Sequence, residues 1–540
     1  MPLVSFGGQI SRLVQKVSKK KINRVSTVKQ TNVVDTSSLS SEQLNESDVE
    51  VDVEALQPER IVIPTFDFSS IPPELLSEIF IVSCLAETIP NSANHRGRKS
   101  RKGRVRTTPF ILGAVCVYWR SVVLSTPKIW SHIPISIAPP RDSFNLKKQV
   151  ALFSTWVTRS NESPLTITLA LQDEWNHTWA GKIPTELLRA LANTSHRWFS
   201  VDLVLPEAWY TTFEELVATA ARGRRGEPRF PQLRVLKIQP LWTDFNVQPA
   251  LRKPLDFFLP EYAPLLQNVN LKEYYLTDVD IPWHQLTSLT IQAKTEGNDC
   301  LHALHHAVNL RRLHLSNISV KQQKPVPVNI VLRHLESLAI HFSPWEDIYR
   351  LMTYTQPMAR LQSLEITSPL DQLDFLSIPV TLRHANCQLR QLKLNEFIFI
   401  HHESIIVDCL RDIDSLEDLE IHTKPSSHAV SHLFLDLLAV RVHVSNTYYL
   451  PRLQHFRFSG RVQHLEEGFD EALFEALQIR RGSAATERIL QPLLSFYIRG
   501  MPIDHYAHYR MTTPEVKEKL EGLVRGGLRL EIIFGWTPWL

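Results

Sequence analysis

The sequence predicts an α/β protein in which a short helical module precedes a long, irregular stack of strand-and-return repeats, all behind a disordered, charged N-terminal tail. Three observations predict it. A hydrophobic motif with strand alternation recurs along the C-terminal half. Two apolar stretches with helical spacing lie between residues 71 and 135. The residues before them sort into blocks of one charge sign and carry little apolar pattern.

The 540 residues include 59 Lys+Arg and 56 Asp+Glu, a net charge of +3, and are 43% hydrophobic, enough for a large core and too much for global disorder. The small net charge hides segregation. Residues 1–34 hold seven basic residues and no acidic one; residues 35–59 hold eight acidic residues and no basic one. These fall in the expected tail, residues 1–63. Within it Ile10, Leu13, Val14 and Val17 recur at helical spacing. That stripe is compatible with a basic amphipathic helix at a membrane surface or in a transit peptide, and equally with a tail whose helix is marginal in water. No secretory signal is expected, because no apolar run follows the charges. A third block, residues 95–106, adds seven Lys/Arg, leaving the body near neutral and speaking against a nucleic-acid domain. Like charges at this density repel, so the block reads as a solvated loop, a reading compatible with a nuclear localisation signal.

The module expected over residues 64–137 flanks that loop. In IPPELLSEIFIVSCL, residues 71–85, the prolines suit an opening helical turn, and Glu74 favours the helix dipole. Leu75, Leu76, Ile79 and Phe80 give the helix an apolar face. Past the loop, Ile111, Leu112, Val115, Cys116, Trp119, Val122 and Val123 mark a second helical stripe, which Pro127 closes before the apolar cluster at Trp130. So wide an apolar surface on so small a unit calls for a partner.

The string I-P-P-E-L-L-x-E-I-F, then V-C-x-x-W-R, then S-T-P-x-I-W-S-x-I, resembles an F-box in the form common among basidiomycete fungi. Two features depart from it. Ile71 stands where Leu is usual, and the loop over about residues 86–108 is longer and more basic than a compact F-box requires. A long surface loop adds little closure entropy, so the helices can form around it. The resemblance implies binding to a Skp-family adaptor and, through it, to the cullin scaffold of a ubiquitin ligase. It implies an adaptor contact drawn from Ile71, Pro72, Leu75, Leu76, Ile79, Phe80, Val115, Cys116, Trp119 and Trp130.

Over residues 138–540 the motif L-x-x-L-x-[IL] appears as LRVLKI at 233, LQNVNL at 266, LTSLTI at 286, LRRLHL at 310, LESLAI at 335, LQSLEI at 361, LRQLKL at 389 and LEDLEI at 416. Degenerate copies stand at 453 and 493. From 266 to 416 the intervals are 20, 24, 25, 26, 28 and 27 residues, within the about 20–29 of leucine-rich repeats. The match is incomplete: later intervals stretch to 37 and 40, and the usual Asn or Cys after the last motif hydrophobe is missing. An irregular solenoid is expected, with PLTITLAL at 164 and WFSVDLVL at 198 as its first strands and a helical return near 470–481. An F-box followed by leucine-rich repeats resembles a large class of substrate receptors.

No nucleotide-binding, hydrolase-elbow or zinc-protease motif is present, so the chain reads as non-catalytic, with no cofactor and no metal. Five cysteines without C-x-x-C spacing argue against zinc and against a disulfide framework. His302 and His306 at i, i+4 lack a third ligand, and His505 and His508 near Asp504 lack a nucleophile. No run approaches a membrane span. A cytoplasmic or nuclear protein is expected, and its partner is an unknown protein substrate. The third and fifth motif positions lie between buried leucines and point out of the core. Arg312, His314, Glu365, Lys393, Asp418 and Glu420 are therefore the candidate substrate readers, with charge basic at Arg312, mixed in the middle and acidic at Asp418 and Glu420. The alternative function is a ligase-independent scaffold using the same repeat surface.

Overall fold

An opening Pro72-Pro73 needs no N–H partner in the first turn of a helix, and α1 (Pro73–Ala86) begins there with Glu74 in its first turn. The computed structural model describes residues 71–86, 108–137, 143–171, 183–223, 227–241, 258–273, 276, 279–319, 330–355, 357–367, 382, 387–397, 410, 413–424, 441–442, 447–461, 469–486, 490–501, 513–534 and 537–538. The charged tail, most of the basic loop, and His505 and His508 lie outside them.

The second stripe is not one helix. It divides into α2 (Thr108–Gly113) and α3 (Val117–Ser125). Cys116 separates them: its backbone is extended, with φ −155°, and its Sγ accepts the Trp119 N–H at 3.4 Å as an N-cap. A side chain that caps competes with the helix ladder at its own position, so the stripe breaks there. Pro127 opens the short α4 (Pro127–Trp130), followed by β1 (His132–Ile137) and, after a gap, α5 (Ser143–Arg159).

Two compact units emerge. One is drawn from the chain up to Ser136 together with Ala151–Leu165; the other takes Ile137–Val150 and everything from Thr166 on. In the first, Phe80 meets Trp119 with ring centroids 4.8 Å apart, and Trp130 packs edge-on against Phe110 and Trp156, each at 5.3 Å. Trp130 Nε1 donates to the Val123 carbonyl at 2.8 Å, and the Arg159 guanidinium lies 4.5 Å from the Trp130 ring. Trp156 and Arg159 thus complete a core that the sequence pattern ended at residue 137.

The second unit is a parallel sheet built in chain order. Its strands are β2 (Leu165–Leu171), β3 (Trp198–Pro206), β4 (Val235–Leu241), β5 (Asn268–Lys272), β6 (Ser288–Glu296), β7 (Arg312–Ser319), β8 (Ser337–His341), β9 (Ser363–Thr367), β10 (Gln391–Phe397) and β11 (Asp418–Thr423). A separate two-stranded pair, β12 (Arg441–Val442) and β13 (Thr447–Tyr448), precedes β14 (His455–Arg461), β15 (Ser495–Met501) and β16 (Arg529–Phe534). The antiparallel β17 (Thr537–Pro538) closes the order. Returns carry α6 (Thr185–Asn193), α7 (Glu207–Arg222), α8 (Gly297–His306), α9 (Trp345–Tyr354), α10 (Phe469–Thr486) and α11 (Pro514–Arg525). The expected helix at 470–481 is α10, held by the fully buried Arg480, which donates to the Tyr449 and Leu450 carbonyls just before β14.

The first, fourth and sixth motif positions are buried in all ten copies, from Leu233 to Ile498. Burying such a side chain contributes about 1.5–3 kcal/mol. The fourth positions form one ladder: Leu236, Val269, Leu289, Leu313, Leu338, Leu364, Leu392, Leu419, Phe456 and Phe496 pair in strict succession. The backbone repeats too. The second-position carbonyl of one copy accepts two N–H groups from the next: Arg311 takes Glu336 and Ser337, Glu336 takes Gln362 and Ser363, and Gln362 takes Arg390 and Gln391. A buried apolar residue three places before the first leucine (Ala307, Leu332, Met358, Ile413 or Leu450) turns the chain into the strand by accepting that leucine's N–H. The eighth position has positive φ in four copies: Glu273 and Phe342 directly after β5 and β8, and Asn317 and Glu396 near the ends of β7 and β10.

Candidate functional site

In the helical unit the structure sorts the ten residues predicted for the adaptor. Leu76, Phe80, Trp119 and Trp130 are buried inside the unit itself. Ile79 and Val115 are half-buried, as is Ile71, whose carbonyl accepts the Tyr118 hydroxyl at 2.6 Å. Pro72, Leu75 and Cys116 are exposed. The sequence reading therefore placed core anchors and surface residues in one group. It also missed exposed apolar side chains: Val82, seven residues after Leu75 on α1, and Val117 and Leu124, seven apart on α3. Leu75 is 59% and Val117 79% exposed, too much for residues serving the unit's own core. Their seven-residue spacing was visible in the sequence; which stripe faced inward was not.

In the sheet unit, alternation puts the third, fifth and seventh positions on the face opposite the leucines. Register then places the fifth positions in one row: Lys237, Asn270, Thr290, His314, Ala339, Glu365, Lys393, Glu420, Arg457 and Tyr497. From β8 onward charges in and beside this row are coupled. His341 Nε2 lies 3.5 Å from Glu365 Oε1, and Lys393 Nζ bridges Glu365 at 3.7 Å and Glu420 at 3.8 Å. Glu420 also takes His422 at 2.6 Å and Arg457 at 3.4 Å, and Asn395 Nδ2 donates to Glu365 at 3.1 Å. The gradient read from the sequence, from a basic to an acidic end, is thus corrected: Glu365 and Glu420 alternate with cations that neutralise them. Burial pushes the Asp418 carboxyl pKa up, with His455 opposing.

The hydrogen bond from His422, with Lys393 and Arg457 nearby, holds the Glu420 carboxyl down to about 2. A folded pKa below the ordinary 4.5 means that the pairing stabilises the fold above about pH 4.5 and that this contribution is lost as pH falls toward about 2. Glu420→Gln is expected to lower stability at neutral pH by at most about 3 kcal/mol, reduced by solvent screening at the exposed Arg457. The gap between the urea midpoints of the two proteins should close as pH falls through that window. A gap that stays constant down to about pH 2 would show that the network's contribution is not electrostatic.

Two grooves lie along this face. One, of about 400 Å³, crosses β4–β8; the other, of about 760 Å³, crosses β11–β16 and includes Tyr497, with Arg457 5.4 Å above its ring. The six sequence-predicted readers all lie on this face, but Arg312 and His314 line the first groove, Asp418 and Glu420 the second, and Glu365 and Lys393 fall between.

Among the described residues no group of three or more His, Cys, Asp or Glu is placed to hold a metal ion, and no helix is long and apolar enough to cross a membrane. His302 and His306 are exposed on α8. Burial pushes the Cys300 thiol up to about 12 and Cys387 up to about 11, so neither supplies thiolate near neutrality. Compared with family models and with curated proteins, the chain finds no match.

Proposed function

We propose that this chain is a non-catalytic substrate receptor of a Skp adaptor/cullin ubiquitin ligase, with an F-box in its helical unit and leucine-rich repeats in its sheet unit. The single observation that carries the reading is the pair of outward apolar stripes, Leu75/Val82 and Val117/Leu124, on the two helices whose sequence resembles an F-box. Apolar surface of this kind on a small unit is what an adaptor covers, and a few desolvated anchors dominate such contacts. The repeat reading is supported by the ten-copy buried motif, its parallel register and its recurring backbone turn. Transfer chemistry then belongs to other subunits, and the polar sheet face is the capture surface.

The test is co-purification of the full chain with adaptor and cullin. A Leu75→Asp/Val117→Asp double variant should lose the adaptor, by roughly a hundredfold or more in affinity, while its melting temperature stays within a few degrees of the parent's. Both side chains lie on the surface, so a loss of binding is not a loss of fold. Unchanged adaptor capture would sink the F-box reading. Absence of adaptor and cullin from the parent's own purification would favour the ligase-independent scaffold.

A further inference from the structure

The polar face of the sheet divides into two chemically different halves. From β9 to β16 it carries carboxylates among cations, and Glu365 and Glu420 are bridged by Lys393, with Arg457 also on Glu420. From β4 to β8 the third, fifth and seventh positions contain no carboxylate at all. They contain Lys237, Lys272, Arg312, and a set of amide and hydroxyl side chains that includes Asn268, Asn270 and Ser288. Among the described residues Arg312 has no ion-pair partner, although it is exposed in the groove. Thr287 donates its hydroxyl to Asn268 Oδ1 at 3.4 Å, so it is the amide oxygen, and not the N–H groups, that is taken up there. Within the face rows, carboxylates sit at the two borders. Asp202 on β3 is 4.0 Å from Lys237, and Glu365 on β9 is taken up by His341 and Lys393.

We propose that the groove over β4–β8 captures an extended, acidic segment of the partner protein, its carboxylates held by Arg312 in the groove and its backbone by the Asn268–Asn270–Ser288 donors. This rests on the reading of the sheet face as the capture surface and names the chemistry of what it captures. Five strands at about 4.8 Å spacing span about 19 Å, the reach of about six extended residues. Unpaired donors and cations on one wall attract a segment of opposite charge, and complementarity of this kind sets both specificity and association rate. The other half mixes both signs, with Glu365, Asp418, Glu420 and Glu531 on the same face, so an acidic segment meets repulsion there as well as attraction.

The experiment uses the full chain and a fluorescein-labelled eight-residue peptide alternating serine and glutamate, followed by fluorescence anisotropy. The control peptide carries glutamine in place of each glutamate. The glutamate peptide should bind at least about tenfold more tightly than the control, and weaken as NaCl rises from about 50 to about 300 mM. Arg312→Glu should weaken it by roughly tenfold, while Arg499→Glu, the same reversal on exposed β15, stays within about twofold. Equal binding of the two peptides, or equal losses for the two reversals, would overturn the proposal, the latter by exposing a generic attraction of the whole molecule. Tighter peptide binding after neutralising the eight acidic residues at 35–59 would assign the groove to this chain's own acidic segment and overturn capture of a partner. The Leu75→Asp/Val117→Asp variant separates this idea from the receptor reading. Lost adaptor with retained peptide binding supports both, and retained adaptor in that variant with normal peptide binding sinks only the adaptor interface.

Discussion

Trp130→Ala is expected to destabilise the helical unit by about 3–5 kcal/mol, enough to unfold much of it at room temperature. The ring is fully buried, touches Phe110 and Trp156 edge-on, lies under Arg159, and donates its one N–H to the Val123 carbonyl. Truncation removes all four contacts and leaves a cavity that the short helices around it cannot collapse to fill. Hydrogen exchange should show lost protection over residues 71–86, 108–137 and 151–159, with the strands from β4 onward unchanged. Trp119→Ala, packed on Phe80, should act the same way. A loss of adaptor binding in either variant therefore reports the fold, and exposed side chains such as Leu75 and Val117 test the contact. Full protection of the helices in Trp130→Ala would show that the aromatic cluster does not hold this unit together.

Leu364→Ala should cost about 2–5 kcal/mol, and the loss should stay local in the sheet. Leu364 is fully buried in the fourth-position ladder between Leu338 and Leu392, its direct neighbours in register. In a stack where each repeat contacts mainly its neighbours, stability is close to a sum of repeat and interface contributions. Amide protection should then fall on β8, β9 and β10 and persist on β4 and β15. Uniform loss across every strand would mean that the sheet folds as one cooperative block, contrary to a nearest-neighbour stack.

Much of this was legible in the sequence because the relevant signals are short-range. Alternation at Leu335, Leu338 and Ile340 marks a strand and its inward face within six residues, and the structure buries all three. The buried residue three places earlier, Leu332 in that copy, was equally visible but went unread, since a turn carbonyl leaves no side-chain signature. The break at Cys116 was not legible, because a thiol at an apolar stripe position reads as packing until its cap geometry is known. Nor was the division of the adaptor residues: Leu75 and Leu76 are adjacent and chemically identical, yet one is exposed and the other buried.

By itself the sequence determined the order of a helical module before a chain-ordered parallel sheet, the strand positions and the leucines that form the sheet's core. Hydrophobic periodicity acts over one turn or one strand, and that much is written in neighbouring letters. Only the tertiary structure decided which charges cancel. Glu365, Lys393, Glu420 and Arg457 lie 28, 27 and 37 residues apart in the chain and become neighbours only through the parallel register, which also left Arg312 without a partner among the described residues. Coulomb attraction depends on distance in space, and the returns between strands, variable in length and weak in pattern, carry no local signal of which side chains they bring within reach.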